Sequence, residues 1–334
     1  MQWHGRTMPV VDTHADSLLG VLAGRRRLGE RSPEGQLDFV RMAEAGHNLQ
    51  FLSCWVEPDD KPERALGKLL RFLDQFWQEA ETYPDRMRVV TSVGALNALV
   101  AADGVGAVLS IEGSEGLATD LARLRLCYRL GVRLVSLTWN ERNALADGSG
   151  EDPGGGGLSR AGRAMISEMN RIGMIPDVSH LAEAGFWDVL ETSTRPVIAS
   201  HSNCRKLTDH VRNLSDAQIK ALASHAGIQG ITFVREFLGG GEDVDRVVDH
   251  MQHALDVVGD NRHLGLGSDF DGVDHPPQGL EDVSGLRRLA DRMSARGIDD
   301  DTVANIFGGN YIAFLRGAWT QPSPLGNVLG QWRD

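Results

Sequence analysis

The chain has 334 residues, 41% of them hydrophobic, with 39 glycines and a formal charge of −12. That balance excludes a disordered chain, and the interspersed charges of both signs exclude a nucleic-acid surface. Length alone allows two domains, but α/β barrels commonly exceed ~250 residues as one unit, so one domain over residues 1–334 is expected.

The N-terminal MQWHGRTMP lacks a basic head followed by an apolar stretch, and no apolar run approaches ~20 residues. The C-terminal GNVLGQWRD lacks the hydrophobic tail of a lipid-anchor signal. Neither export nor membrane attachment is expected. Cys54, Cys127 and Cys204 are too few and too scattered for a disulfide framework or a cysteine zinc site, which points to a reducing, cytoplasmic compartment. Cys204, close after His201, reads as a small buried residue rather than a reactive thiol.

The first strand-like run, 10–13, leads into His14 and Asp16. Residues two apart on a strand face the same side, so this HxD pair can converge on a cation, although single HxD pairs also arise by chance. Asp12 either orients a ligand or merely begins the strand. Run 47–55 follows, then helical spacing over 66–81, then run 106–111 with Glu112 at its end. Helix 121–130 precedes a strand over 134–139, which ends in Trp139 and Asn140. The segment 147–157, DGSGEDPGGGG, is a flexible connection or, at a barrel mouth, a mobile rim over a substrate.

Helix 160–172 and strand 175–178 deliver His180; helix 182–191 and strand 197–200 deliver His201. Arg212 lies in the loop that follows, where most arginines are solvated. Ser215 with Gln218 forms a capping box for helix 216–224. Strand 228–233, helix 243–258 and strand 263–268 complete the series, and the last strand leads into Asp269 and Asp271. Helices 283–296 and 300–316 close the chain.

Eight strand-like runs alternating with helices favour a (β/α)8 TIM barrel, and no GxGxxG after the first strand argues for a dinucleotide fold. His14, Asp16, Glu112, His180 and His201 all fall at strand ends, where a barrel carries its active site. Imidazole with carboxylate suits zinc or a similar divalent ion. Two ions need a bridge. No lysine ends a predicted strand, so Glu112 is the best bridge between an ion held by His14 and Asp16 and another held by His180 and His201. Asp269 is the natural general base, and Asp271, before a glycine, reads as a turn residue.

In order along the chain, VVDTHAD, LSIEG, LTWNERNALADG, EMNRIGMIPDVSH, RPVIASHS, VRNLSD, GLGSDFDGV and GLEDVS resemble the membrane (renal) dipeptidase family of zinc metallopeptidases. The resemblance implies a (β/α)8 barrel with two Zn2+ ions that hydrolyses L,L- and L,D-dipeptides through a water between the ions. It implies that His14, Asp16 and Glu112 bind one zinc and Glu112, His180 and His201 the other. It further implies that Asp269 is the acid/base and that Arg212 holds the substrate carboxylate. Where mammalian members place a substrate-binding histidine, this chain has Trp139, with Asn140 as a candidate substitute. The expected protein is therefore a soluble metallodipeptidase, a homodimer being common for such enzymes. The alternatives are an N-acyl amino acid deacylase or β-lactam hydrolase on the same barrel, or a binding protein that has kept it.

Overall fold

The computed structural model describes residues 1–240 and 243–319; the GNVLGQWRD segment lies outside the described residues. A hairpin of β1 (Gln2–Trp3) and β2 (Arg6–Thr7) precedes β3 (Val11–Asp12), β4 (Leu49–Trp55), β5 (Arg88–Val89) and β6 (Gly106–Glu112). Then come β7 (Val132–Ser136), β8 (Ile175–Asp177), β9 (Ile198–Ala199), β10 (Ile228–Ile231) and β11 (Leu264–Leu266). Parallel pairing runs β4-β3-β11-β10-β9-β8-β7-β6, and β4 pairs with β6 along its whole length to close the ring. The result is the expected eight-stranded parallel barrel. The short β5 pairs only with the first two residues of β6, ahead of the point where β7 joins it.

Alternation along the strands divides the core. Leu52 and Cys54 of β4 and Ala107, Leu109 and Ile111 of β6 pack with the surrounding helices. Phe51 and Val108 join Val11, Leu134, Ile175, Ile198 and Ile228 in a second cluster with Tyr311 and Leu315 of the helix Asn310–Ala318. Every barrel strand except β11 contributes to that cluster. Gly265 of β11 explains the exception, because a Cβ there would overlap the fully buried Tyr311 ring. On β6 the face that carries Val108 continues through Ser110 to Glu112, so the period of two places a carboxylate at the top of the same row.

Each of the eight barrel strands overlaps its apolar run. Helices Arg160–Ile172 and Asp216–Ser224 have the expected bounds, and Ser215 with Gln218 makes the reciprocal capping box. The fourth predicted strand needs correction. It runs over Val132–Ser136, and Trp139 and Asn140 lie in the loop beyond, because the Ser136 hydroxyl donates to Thr138 O (3.1 Å) and turns the chain. The terminal helix is also broken: a π turn at Asn305–Gly309 separates Asp300–Ala304 from Asn310–Ala318, and Gly308 packs against the Pro9 backbone where a Cβ has no room. Helices Leu18–Leu22, Phe39–Ala45 and Val93–Ala101 have no counterpart in the periodicity, the first two being very short and the third apolar nearly all round. No described helix is long and apolar enough to cross a membrane.

Gly267, just past β11, supports both fold and site. A Cβ there would overlap the Ser200 carbonyl, a backbone atom directly before His201. Gly267→Ala is expected to lower stability by about 1–3 kcal/mol, as forced overpacking does. Gly67→Ala, with nothing within 4 Å of the added methyl in the helix Ala65–Thr82, is the matched control and is expected to be neutral or stabilising. Urea denaturation of both variants tests this, and equal midpoints would remove the steric account.

Candidate metal centre

After β3 the chain leaves the regular ladder. Asp12 Oδ1 accepts the amides of His14 (3.1 Å) and Ser268 (3.0 Å), turning the backbone so that His14 reaches into the barrel mouth. Asp16 is fixed by its amide on Phe270 O (2.8 Å). Across the mouth Asp177, the last residue of β8, does the same: its Oδ1 accepts the amides of Ser179 (2.9 Å) and Ser200 (3.0 Å). Two buried aspartates thus shape the strand ends that carry His14, His180 and His201. This favours the orienting reading of Asp12, whose carboxyl burial pushes up to about 6.

The five predicted ligands meet. His14 Nε2 lies 3.3 Å from Glu112 Oε2 and 3.6 Å from Asp16 Oδ2. The other Glu112 oxygen, Oε1, lies 2.8 Å from His180 Nε2 and 3.6 Å from His201 Nε2. One carboxylate therefore faces two groups with different oxygens, as a bridge requires. Asp269 joins them with Oδ1 3.7 Å from His14 Nε2. Compact donor sets are formed by His14, Glu112 and His201, and by His14, Asp16 and Asp269. The first differs from the sequence partition, in which His201 shares its ion with His180; the donors lie so close together that His14 and His201 also fall in one set.

The hydrogen bonds around the imidazoles fix their tautomers. Ser200 Oγ donates to Asp177 Oδ2 (2.5 Å), so at its 2.7 Å contact with His201 Nδ1 the imidazole must be the donor. His180 Nδ1 donates to Asn140 Oδ1 (2.8 Å). Both Nε2 atoms are then bare lone pairs, and they face each other at 2.8 Å. Two acceptors at that distance call for a cation, and His14 Nε2 and Asp16 Oδ1 are also buried without hydrogen-bond partners. The residues present fit a metal centre.

Electrostatics agree. Burial, reinforced by the charge of Arg212, lowers His180 to about 3, and burial with the charges of His14 and Arg212 takes His201 well below the usual range, so both stay neutral and able to ligate. Burial also lowers His14, but Glu112 and Asp16 outweigh it and leave the imidazole well above its usual range. Asp16 is raised to about 7 by burial and by Glu112, and Asp269 is raised chiefly by burial. A divalent cation in the pit favours the ionised carboxylates and the neutral imidazole instead.

Arg212 is 4% exposed, and burial lowers it to about 10. Its Nη2 donates to His201 O (3.3 Å), its Nε is buried without a partner, and Asp269 and Glu112 act on it only through space. A buried guanidinium with an unpartnered Nε has the donor chemistry to take a carboxylate. Trp139 stands at the rim, its ring 5.9 Å from His180, 5.2 Å from Trp55 and beneath the Lys61 ammonium. Asn140 does not point its oxygen at open space: Oδ1 is shared by His180 Nδ1 and Ser149 Oγ (3.0 Å). Asp271 is the turn residue expected, bonded to Ser17, Arg26 and the Gln36 amide. Cys204 is buried, its thiol pushed up to about 12 by burial, as a small core residue should be.

Sequence reasoning missed Asp177, Ser200, Ser149 and Gly272. The first two stand beside ligands in PDVSH and ASHS, a local signal that hydrogen-bonding residues precede each histidine. Gly272 follows DFD, and a Cβ there would overlap the carboxylate oxygens of Asp16 and Asp269.

Comparison with known proteins bears on the same residues. The family model of membrane dipeptidases, peptidase family M19, matches residues 5–321. Dipeptidase tcpJ of Claviceps purpurea (strain 20.1) is 35% identical over 294 residues, covering 84% of this chain and 69% of the relative. The crystal structure of the dipeptidase AC, a metallopeptidase of family M19, superposes with a TM-score of 0.89 at 30% identity, covering 95% of this chain and all of that one. A metallopeptidase from Rhodobacter sphaeroides, liganded with a phosphinate mimic of the dipeptide L-Ala-D-Ala, gives 0.89 at 29% identity, covering 94% of this chain and 100% of that one. With a barrel whose mouth gathers three histidines and three carboxylates, and a family match over nearly its whole length, the chain belongs to the membrane dipeptidase family, peptidase family M19, whose members are metallopeptidases that cleave dipeptides.

Proposed function

We propose that this metallodipeptidase uses two zinc ions, one held by His14, Asp16 and Glu112 and the other by Glu112, His180 and His201, within one barrel domain over residues 1–334. The observation that carries the reading is the split carboxylate of Glu112, one oxygen toward each histidine group. When bound, the ions supply Lewis-acid polarisation of the scissile carbonyl and a nucleophilic water at neutral pH. Asp269 takes a proton from the attacking water and returns it to the leaving amine. Arg212 binds the terminal carboxylate of the substrate and fixes the peptide bond over the site. Trp139 borders the substrate at the rim, where its ring lies between Trp55 and His180. The L-Ala-D-Ala mimic bound by the Rhodobacter protein supports adding L,D-dipeptides to the L,L-dipeptides as substrates. Three free, buried cysteines support a reducing compartment, the cytoplasm.

The test is hydrolysis of a library of L,L- and L,D-dipeptides by zinc-loaded protein, with metal-stripped protein, C-terminal amides and N-acyl amino acids as comparisons. Zinc-dependent cleavage is expected, with kcat/KM on amides lower by ~10–150-fold, because a charge-assisted hydrogen bond is worth about 1.5–3 kcal/mol. Cleavage of N-acyl amino acids with silence on every dipeptide would overturn the reading.

A further inference from the structure

The start of the glycine-rich segment, which its composition marks as a flexible connection or mobile rim, is bonded into the barrel mouth. Ser149 is 1% exposed. Its amide donates to His180 O (2.7 Å), and its hydroxyl donates to Asn140 Oδ1 (3.0 Å). The neighbouring backbone is tied as tightly: Gly150 N donates to Asn140 O (2.9 Å) and Ala182 N to Asp147 O (3.0 Å). The glycines on either side of Ser149 let the segment press against the Trp139–Asn140 backbone. A Cβ on Gly148 would overlap Trp139 O, and one on Gly150 would lie 2.7 Å from Asn140 O.

What this segment holds is a ligand candidate in a costly conformation. His180 has φ 69°, the left-handed region that a residue with a Cβ rarely occupies. Its carbonyl is held by the Ser149 amide and by Thr138 Oγ1 (3.1 Å), and its ring by Asn140. An amide oxygen only accepts, so Asn140 obliges His180 to carry its proton on Nδ1 and to present Nε2 as a lone pair to the pit. His201 receives the same service from Ser200 and Asp177 by a separate chain of bonds.

We propose that Asn140, braced by Ser149, is a positioning residue for the metal ion shared by His180 and His201, and not a contact for substrate. The proposal rests on the two-zinc reading above. The 147–151 segment is then a fixed wedge that sets the tautomer and aim of one ligand. Asn140→Ala leaves Nδ1 without its acceptor and frees the ring, whereas Asn140→Asp keeps an oxygen at the same place.

Zinc content and affinity of wild type and variants, measured by competition with a chromophoric chelator, test the proposal alongside steady-state kinetics and melting of the metal-free proteins. Asn140→Ala is expected to weaken one of two zincs by ~10–100-fold, the usual effect of losing a ligand's hydrogen-bond partner. The other zinc, the dipeptide KM and the metal-free melting temperature should hold, and excess zinc should restore kcat. Asn140→Asp should recover the affinity. Ser149→Ala, which removes one bond from the brace, should weaken the same zinc by less. Unchanged affinity in Asn140→Ala, or a loss confined to KM, overturns the proposal while leaving the two-zinc reading intact. Should Asn140→Ala fail to fold, Asn140→Asp and Ser149→Ala carry the test, and wild-type affinity in Ser149→Ala overturns the brace. Wild type that binds fewer than two zincs removes the two-zinc reading and this inference with it.

Discussion

Glu112→Gln is expected to lose zinc and turnover together, with kcat/KM falling by at least ~10^3-fold, since metal polarisation is worth several kcal/mol of transition-state stabilisation. The variant is nearly isosteric and sits at the end of β6 with the same packing, so the fold has little reason to change. Its chemistry changes on one side only. A carboxylate presents acceptor oxygens in both directions, toward His14 at 3.3 Å and toward His180 at 2.8 Å. A carboxamide presents an oxygen to one group and an NH2 to the other, so one of the two ions meets a donor instead of a ligand. Ser53 Oγ, 3.3 Å from Oε2, favours keeping an acceptor on the His14 side. The ion at His180 and His201 should therefore leave first. Metal analysis by atomic absorption beside kinetics reads both effects. A variant with two zincs per chain and wild-type turnover would remove Glu112 from the bridge.

The sequence carried the barrel because each strand is a short apolar run and most connections hold a helix of visible period; closure of the last barrel strand, β11, on the first, β3, followed from the number of runs. It carried the ligand positions because a barrel presents its chemistry at strand ends, where an imidazole or carboxylate after apolar residues is conspicuous. It did not carry the aim of those side chains. His14 and Asp16 were paired by strand parity, yet the strand stops at Asp12 and the convergence comes from a turn that Asp12 itself caps. Asn140 stands in the sequence as a candidate substitute for the substrate-binding histidine; its hydrogen-bond partner, His180, is forty residues away and comes into view only once β7 and β8 lie side by side. The 147–157 segment shows the same limit: composition marks glycines as freedom, while here the first of them are close approaches.

Asp269→Asn is expected to lower kcat by ~10^2–10^4-fold, the range for loss of a general acid–base, while zinc content and KM stay near those of wild type. The structure commits effort to this carboxylate. Asp269 holds φ 67°, a left-handed conformation worth about 1–3 kcal/mol of strain for a residue with a Cβ. Its amide is fixed on His14 O (3.2 Å) and its carbonyl accepts from Gly272 N (3.0 Å), a glycine whose missing side chain leaves room for the Asp269 and Asp16 oxygens. Burial raises the carboxyl, Glu112 adds to the rise, and His14 and Arg212 oppose it. A general base must be ionised, so activity should fall as pH falls through the pKa of this group, and bound zinc moves that limb to lower pH by favouring the carboxylate. The acid limb of the kcat profile should flatten in Asp269→Asn, since asparagine has no proton to gain. Asp269 also stands within the donor set of His14 and Asp16, which offers a rival role as ligand. Metal content decides between them. Two zincs with a collapsed kcat mark a base, whereas loss of the ion beside His14, with activity recovered by excess zinc, would make Asp269 a ligand and leave the proton transfer to another group.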